Sequence, residues 1–289
     1  MRGNDQPIQL KGLTLARSSY GDPSAQSVIL AHGGGQTRHA WKGAAEALAH
    51  EGYYSTALDL RGHGDSDWAA DGDYSLEAFA SDLIGVGQQL SPDGPSPHIV
   101  GASLGGLAAI VAAGILAQDS FASVTLVDIT PNMDPAGVAK IVGFMGAHIE
   151  DGFCSLEEAA EVIAKYLPHR PRPKDLEGLR KNLRQDQDGR WRWHWDPAFI
   201  AGVMRRSAVT RADDLEQAVR NIRSPIHLIR GRMSELVTED AVTAFRQLAP
   251  HAHFTDVAGA RHMLAGDRND VFTQAVVSFL RRVRDEACA

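Results

Sequence analysis

The feature that most constrains the fold of this chain is the alternation of short apolar runs with segments of helical spacing. The apolar runs predict buried strands, and the segments between them carry apolar side chains every three or four residues. This βα alternation predicts an α/β fold with a mostly parallel sheet and helices on both faces. The predicted strands are Ser27–Ala31, Tyr54–Leu60, His98–Ala102, Ala122–Ile129, Pro225–Arg230 and His253–Val257. The predicted helices are His39–His50, Ser75–Leu90, Leu104–Ala117, Thr238–Leu248 and Asn269–Arg284.

The alternation breaks after Pro131 and resumes at Pro225. Between these points the segments are helical and polar, and none reads as a strong buried strand. We therefore predict that residues 1–130 and 219–289 form one core, and that residues 131–218 form a helical cap inserted into it.

Near the end of the predicted cap, polar and aromatic residues alternate with a period of two. This period places Trp191, Trp193 and Trp195 on one face. The three tryptophans are candidates for lining a substrate pocket, although packing of the cap against the core is the favoured role.

Composition narrows the class of protein. The 289 residues carry a formal net charge of −7, which argues against nucleic acid and anionic membranes as partners and leaves a small-molecule substrate. The two cysteines are far apart and form no motif, which predicts free thiols in a reducing cytoplasm. The N-terminus shows no signal peptide, and the longest apolar run, Leu107–Ala117, is too short to span a bilayer. Nothing in the sequence indicates the oligomeric state.

The strongest chemical signal is G-x-S-x-G from Gly101 to Gly105, between a predicted strand and a predicted helix. The two glycines let strand and helix approach closely, and the sharp turn exposes the hydroxyl of Ser103 at a helix N-terminus. Ser103 is therefore the predicted nucleophile, and the alternative is an ordinary N-cap serine.

A serine nucleophile needs a general base, and His262 occupies the loop between the last predicted strand and the last helix. The alternative for His262 is an incidental loop histidine. His251 and His253 are two residues apart and could share a face as metal ligands, but no third ligand accompanies them. We predict no metal and no cofactor.

The base in turn needs an acid, and two carboxylates fit. Glu235 follows the strand Pro225–Arg230, and Asp128 ends the strand Ala122–Ile129. Glu235 is preferred because it stands in the usual Ser–acid–His order after the more usual strand. Its alternative role is a solvated loop carboxylate, and that of Asp128 is a cap for the chain leaving the strand.

An oxyanion hole requires two backbone N–H donors. Leu104, directly after the nucleophile, supplies one. The other is expected from the His32–Gly35 run, H-G-G-G, after the first buried strand, with Gly34 as the chosen donor. A plain glycine turn is the alternative.

Together these residues resemble the α/β-hydrolase superfamily, in its serine-nucleophile branch, over nearly the whole chain. The resemblance also includes D-L-R-G-H-G-D-S from Asp59 to Ser66, whose role in the superfamily is structural. The loop around His262 looks like that of bacterial esterases and cofactor-free non-haem peroxidases. Related epoxide hydrolases and haloalkane dehalogenases carry aspartate where Ser103 stands, so serine here favours acyl transfer.

The resemblance implies the α/β-hydrolase fold and a serine hydrolase that cleaves a small carboxylic ester or lactone through an acyl-enzyme. Hydrolysis of a C–C bond and acyl transfer to peroxide on the same triad are alternatives. A non-catalytic ligand receptor is a third. The superfamily usually carries aspartate where Glu235 stands, so the longer side chain would have to fold back to reach the base.

Overall fold

The fold is built on one large sheet, seen in a computed structural model that describes residues 5–168, 176–206, 212–262 and 269–287. Within these residues the sheet has seven strands in the order β11-β10-β7-β6-β4-β5-β3. Neighbouring strands run parallel except for the edge pair β3 and β5. The strands of this sheet are β3 (Arg17–Tyr20), β4 (Ser27–Ala31), β5 (Tyr54–Leu58), β6 (His98–Ala102), β7 (Ser123–Val127), β10 (Ile226–Gly231) and β11 (His253–Val257). The predicted α/β fold with a mostly parallel sheet is confirmed.

Two smaller antiparallel pairs lie outside the large sheet. The first is the N-terminal pair β1 (Ile8–Leu10) and β2 (Leu13–Leu15). The second pairs β8 (Leu183–Gln185) with β9 (Trp191–Trp193). The sequence analysis predicted neither pair, nor the antiparallel edge strand β3, because these strands are only three or four residues long and β3 is mostly polar.

Helices follow most strands, and several begin at a polar cap. The side chain of Ser75 accepts the N–H of Ala78 at the start of the helix Leu76–Leu90, and that of Thr238 accepts the N–H of Ala241 at the start of the helix Glu239–Leu248. The described helices are α1 (Lys42–His50), α2 (Leu76–Leu90), α3 (Leu104–Val111), α4 (Pro135–Gly146), α5 (Leu156–Tyr166), α6 (Pro197–Arg206), α7 (Ala212–Asn221), α8 (Glu239–Leu248) and α9 (Asn269–Ala287). No helix of the described ranges is both long and apolar enough to cross a membrane.

Apolar packing covers both faces of the sheet. On one face, α1 and α9 pack together, with Trp41 and Phe272 fully buried between them. On the other face lie α2, α3, α7 and α8, and α3 continues into a π-helical turn, Ala112–Leu116. β4, β5, β7 and β10 are buried along their whole length, which is the pattern of strands covered on both faces.

We call the chain between β7 and β10 the insertion, and it includes the predicted cap, residues 131–218. It contributes α4, α5, the β8–β9 pair, α6 and α7, and none of its described strands joins the large sheet. The predicted boundary at residues 218 and 219 falls inside α7, which packs against α3 and the π-helical turn of the core.

Candidate active site

Ser103 occupies a strained turn between β6 and α3. Its φ is +46° and its ψ is −112°, a region that L-residues rarely adopt. The turn is held by a hydrogen bond from the Ser103 N–H to the carbonyl of Val127 at 3.2 Å. A Cβ at Gly101 would lie 2.5 Å from the carbonyl oxygen of Gly105, and a Cβ at Gly105 would collide with the carbonyl of Ala31. The two glycines of the motif are therefore required by close packing.

An apolar cavity of about 220 Å³ opens at Ser103. Gly34 and Leu104, the two predicted oxyanion donors, line it together with Ser103. Its remaining walls are mostly apolar side chains of α3, α4, α6 and α7, and none of the described lining side chains is charged. Among the lining side chains are those of Leu107, Ile141, Met145, Phe199 and Leu215.

His262 and Asp128 lie side by side although 134 residues separate them. Asp128 directly follows β7, and His262 follows β11. Both strands lie on the same side of β6 in the sheet order. The Nδ1 of His262 lies 2.8 Å from Oδ2 of Asp128. A carboxylate only accepts hydrogen bonds, so Nδ1 carries the proton and Nε2 is left as the basic nitrogen.

Two further donors hold the carboxylate of Asp128. The N–H of Gly231 donates to Oδ1 at 2.9 Å, and the Ser234 hydroxyl donates to Oδ2 at 2.5 Å. The Ser234 oxygen itself accepts the N–H groups of Leu236 and Val237 at 3.1 and 3.0 Å. With its lone pairs so occupied, the hydroxyl directs its proton at the carboxylate. The sequence analysis missed Ser234. The signal that could have indicated it is a loop serine, since a serine side chain can accept backbone N–H groups two and three residues later in the chain.

Glu235, which the sequence analysis preferred as the acid, lies elsewhere. Its side chain is 51% exposed, and its carboxylate accepts hydrogen bonds from Lys140 at 2.8 Å and Arg261 at 3.5 Å. The side chain paired with His262 is that of Asp128, which is 0% exposed. The physical reason is position: Asp128 directly follows the buried strand β7 and is itself buried, whereas Glu235 is four residues past the end of β10, where the loop has reached the surface.

The predicted oxyanion loop follows β4. The Gly33 N–H donates to the Gln36 side chain at 3.2 Å, and the Gln36 N–H returns to the Gly33 carbonyl at 3.1 Å. A Cβ on Gly33 would lie 3.2 Å from the Cβ of Ser103, so the loop passes directly beside the nucleophile. The Gly105 N–H donates to the carbonyl of His32 at 3.1 Å, which ties this loop to the start of α3.

The Asp59–Ser66 loop is folded around its first carboxylate. Oδ1 of Asp59 accepts the N–H of Arg38 at 2.6 Å, and Oδ2 accepts the N–H of Asp65 at 2.9 Å. The Ser66 hydroxyl donates to the Asp59 carbonyl at 2.6 Å. Gly64 has a φ of +55°, and a Cβ there would collide with the Asp59 carboxylate. The D-x-R-G-H-G-x-S pattern is thus accounted for by loop geometry.

Three buried histidines connect this loop to the oxyanion loop and the insertion. The rings of His32 and His63 lie 5.1 Å apart, and those of His63 and His194 lie 5.9 Å apart. Burial lowers the pKa of each to about 3, so all three are neutral near pH 7. His194 of the insertion accepts the N–H of Gly64 at 2.7 Å and donates to the carbonyl of Gly35 at 3.3 Å.

The three tryptophans of the insertion are buried. The rings of Trp193 and Trp195 stack with centroids 4.7 Å apart, and the Arg180 guanidinium lies 4.7 Å over the ring of Trp191. A Cβ on Gly35 would lie 3.2 Å from the ring of Trp195, which places this ring against the oxyanion loop. As far as the described residues define the Ser103 cavity, none of the three lines it. Their rings pack against each other, against Arg180 and against Gly35.

Comparison with known proteins identifies the family. A family model described as "Alpha/beta hydrolase family" matches residues 28–275 of the chain. The chain belongs to this family. In the part of this hydrolase that the structure describes, no group of three or more His, Cys, Asp or Glu side chains could hold a metal ion.

Individual relatives of the hydrolase point the same way. Esterase Rv0045c of Mycobacterium tuberculosis is 30% identical over 269 residues, 91% of this chain and 84% of the relative. Its crystal structure covers 99% of this chain and 92% of the other, with a TM-score of 0.72 and 27% identity. The 2-(acetamidomethylene)succinate hydrolase of Mesorhizobium japonicum is 27% identical over 79% of this chain and 78% of its own length. These relatives support hydrolase activity.

Proposed function

We propose that this hydrolase cleaves carboxylic esters through an acyl-enzyme, with Ser103 as nucleophile, His262 as general base and Asp128 as triad acid. The observation that carries the proposal is the 2.8 Å contact between His262 Nδ1 and the buried carboxylate of Asp128. This contact fixes the tautomer in which Nε2 can accept a proton. The positive φ of Ser103 adds the strained turn that a nucleophilic serine requires.

The Oγ of Ser103 attacks the ester carbonyl, and its proton passes to Nε2 of His262. The N–H groups of Gly34 and Leu104 stabilise the negative charge on the carbonyl oxygen. Gly34 is the donor of choice in its loop because the Gly33 N–H already donates to Gln36. The imidazolium of His262 then protonates the leaving group, and water releases the acyl group by the reverse sequence.

The cavity at Ser103 favours an uncharged, apolar acyl group. Its described walls carry no ionised side chain that could bind a carboxylate, and burying an unpaired charge there would be costly. The hydroxyl of Tyr74, the most polar aromatic group of the wall, donates to Asp196 and is thereby occupied. The name of the esterase relative supports an ester as substrate.

We also propose a partner and a compartment for the enzyme. A small-molecule substrate suits the volume of the cavity at Ser103, and the formal charge of −7 argues against nucleic acid as a partner. Cys154 is an exposed free thiol, which supports a reducing compartment such as the cytoplasm.

A fluorophosphonate probe and a series of p-nitrophenyl esters test the proposal. We expect stoichiometric labelling of Ser103, loss of labelling in Ser103→Ala, and turnover of short to medium apolar acyl chains by the wild type. Labelling at another residue, with Ser103 unmodified, contradicts the mechanism. Absence of ester turnover, with activity instead on a C–C ring-cleavage product or on peroxide and acetate, would replace ester hydrolysis with one of these reactions. Absence of all turnover would favour a ligand-binding role.

A further inference from the structure

A second, polar cavity lies beside the apolar one, on the side of His262. It has a volume of about 110 Å³, and Ile141 and Leu236 line both cavities, which makes them neighbours. Its walls carry three charged side chains besides that of His262: Lys140 and Arg261, which are positive, and Glu235, which is negative. The apolar cavity contains Ser103, whereas the polar cavity contains His262.

The chemistry of acyl transfer assigns different parts of an ester to the two cavities. The bond that forms joins Ser103 Oγ to the acyl carbon, so the acyl group stays beside Ser103. The bond that breaks joins this carbon to the leaving oxygen or sulfur, which takes its proton from His262 Nε2. The leaving group therefore departs on the side of His262. On the proposed function, the apolar cavity holds the acyl chain and the polar cavity holds the leaving group.

We propose that the polar cavity is a subsite for a leaving alcohol or thiol that carries an anionic group, such as a carboxylate or a phosphate. Lys140 and Arg261 contribute two positive charges and Glu235 one negative charge, so the described wall has a net charge of +1 with His262 neutral. The chain as a whole has a formal charge of −7, so this local excess of positive charge differs in sign from the rest of the molecule.

When no ligand is bound, the carboxylate of Glu235 pairs with Lys140 and Arg261, and an anionic ligand can displace it. Its ion pair with Lys140 is 2.8 Å long but about half exposed on both sides, at 50% and 51%. Its contact with Arg261 is longer, at 3.5 Å. Exposed pairs of this kind contribute little to stability, so a ligand carboxylate or phosphate can exchange with that of Glu235 at small cost. Glu235, on this account, sets leaving-group selectivity by competing with the substrate for Lys140 and Arg261.

Two esters with the same acyl group test the subsite: the butanoyl ester of 3-hydroxybenzoate, which is anionic, and that of methyl 3-hydroxybenzoate, which is neutral. We expect wild-type kcat/KM to favour the anionic ester by roughly threefold to tenfold, the scale of one partly screened charge contact. Lys140→Gln should abolish the preference, whereas Glu235→Gln should increase it. Added salt should lower the wild-type preference.

Lys42→Gln is the matched control, because Lys42 is an exposed lysine paired with Glu46 on α1 at 3.9 Å and lies outside the cavity. It should leave the preference unchanged. An equal preference in wild type, Lys140→Gln and Glu235→Gln, or a preference insensitive to salt, would overturn the subsite. Turnover of the neutral ester, lost in Ser103→Ala, reports on the proposed function separately. If the neutral ester is hydrolysed and the preference is absent, only the subsite is refuted.

Discussion

Replacement of Asp128 by asparagine is the sharpest test of the proposed triad, because the surrounding bonds dictate how the new amide would sit. The N–H of Gly231 donates to Oδ1, so the oxygen of the introduced amide would take that position. Its NH₂ group would then stand at the Oδ2 position, facing His262 Nδ1 at about 2.8 Å. Two donors cannot share this contact, so His262 would have to give up its Nδ1 proton and carry it on Nε2.

The wrong tautomer removes the base, since a protonated Nε2 cannot accept the proton of Ser103. A triad acid replaced in this way lowers kcat by roughly 10⁴-fold in a serine protease, and we expect a loss of that order here. The Ser234 hydroxyl adds to the cost, because it too donates toward the Oδ2 position. Glu235→Gln is the matched control, and we expect its kcat on a neutral p-nitrophenyl ester to stay within about threefold of wild type, as is usual for exposed pairs.

The assay is kcat on a neutral p-nitrophenyl ester, referred to the concentration of folded protein and accompanied by thermal melts. Asp128 is buried, so its substitution can destabilise the protein. The melts therefore distinguish a loss of catalytic activity from a loss of folded structure. A folded Asp128→Asn protein with near-normal kcat, together with an almost inactive Glu235→Gln protein, would refute the reasoning and restore the acid that the sequence favoured.

Hydrogen bonding and burial lead to two further predictions. Ser234→Ala should lower kcat on the same ester by roughly tenfold with KM little changed, because one hydrogen bond to a charged group is lost, and Ser234→Thr should recover part of the activity. Equal kcat in the wild type and both variants would contradict a role of Ser234 in holding Asp128. The buried histidines His32, His63 and His194 have a pKa of about 3 when folded and about 6.5 when unfolded, so the unfolded state binds more protons between these values. The free energy of unfolding should therefore fall as the pH drops from about 6.5 toward 3, by up to about 1.4 kcal/mol per pH unit for each histidine. Urea melts at pH 7.5 and 5.5 measure this, and equal stability at the two values would contradict it.

The parallel part of the fold was predictable because apolar runs and helical spacing are strong signals. Ser27–Ala31, His98–Ala102 and His253–Val257 were predicted with the boundaries that the structure has. The edge strand Arg17–Tyr20 was not, since R-S-S-Y is polar and its pairing depends on the neighbouring strand Tyr54–Leu58 rather than on its own sequence. A short edge strand of this kind cannot be recognised from its own sequence, because its pairing depends on the rest of the sheet.

The acid that pairs with His262 was not identified by the order of residues along the chain. β7 and β10 are neighbours in the sheet, so carboxylates after either strand can approach the loop of His262. The order of residues along the chain could not choose between them. A physical signal was nevertheless present: Asp128 stands between Val127 and Ile129, which are both buried. A carboxylate inside an apolar run must find donors within the fold, whereas Glu235, in a polar loop, need not.

The contacts of the segment from His194 to Asp196 indicate that the insertion helps to position the loop that carries Gly34. The Trp195 ring packs against Trp193 and against Gly35 of the core, and the polar face is buried too, because His194 and Asp196 are directed at the core. His194 bonds the backbone of Gly35 and Gly64, and the Asp196 N–H donates to the carbonyl of Gly62 at 2.9 Å. The loop that carries Gly34 is thereby held between the sheet and the insertion. A change in the packing of the insertion should consequently shift Gly34, the proposed oxyanion donor of this loop, without any movement of Ser103 or His262.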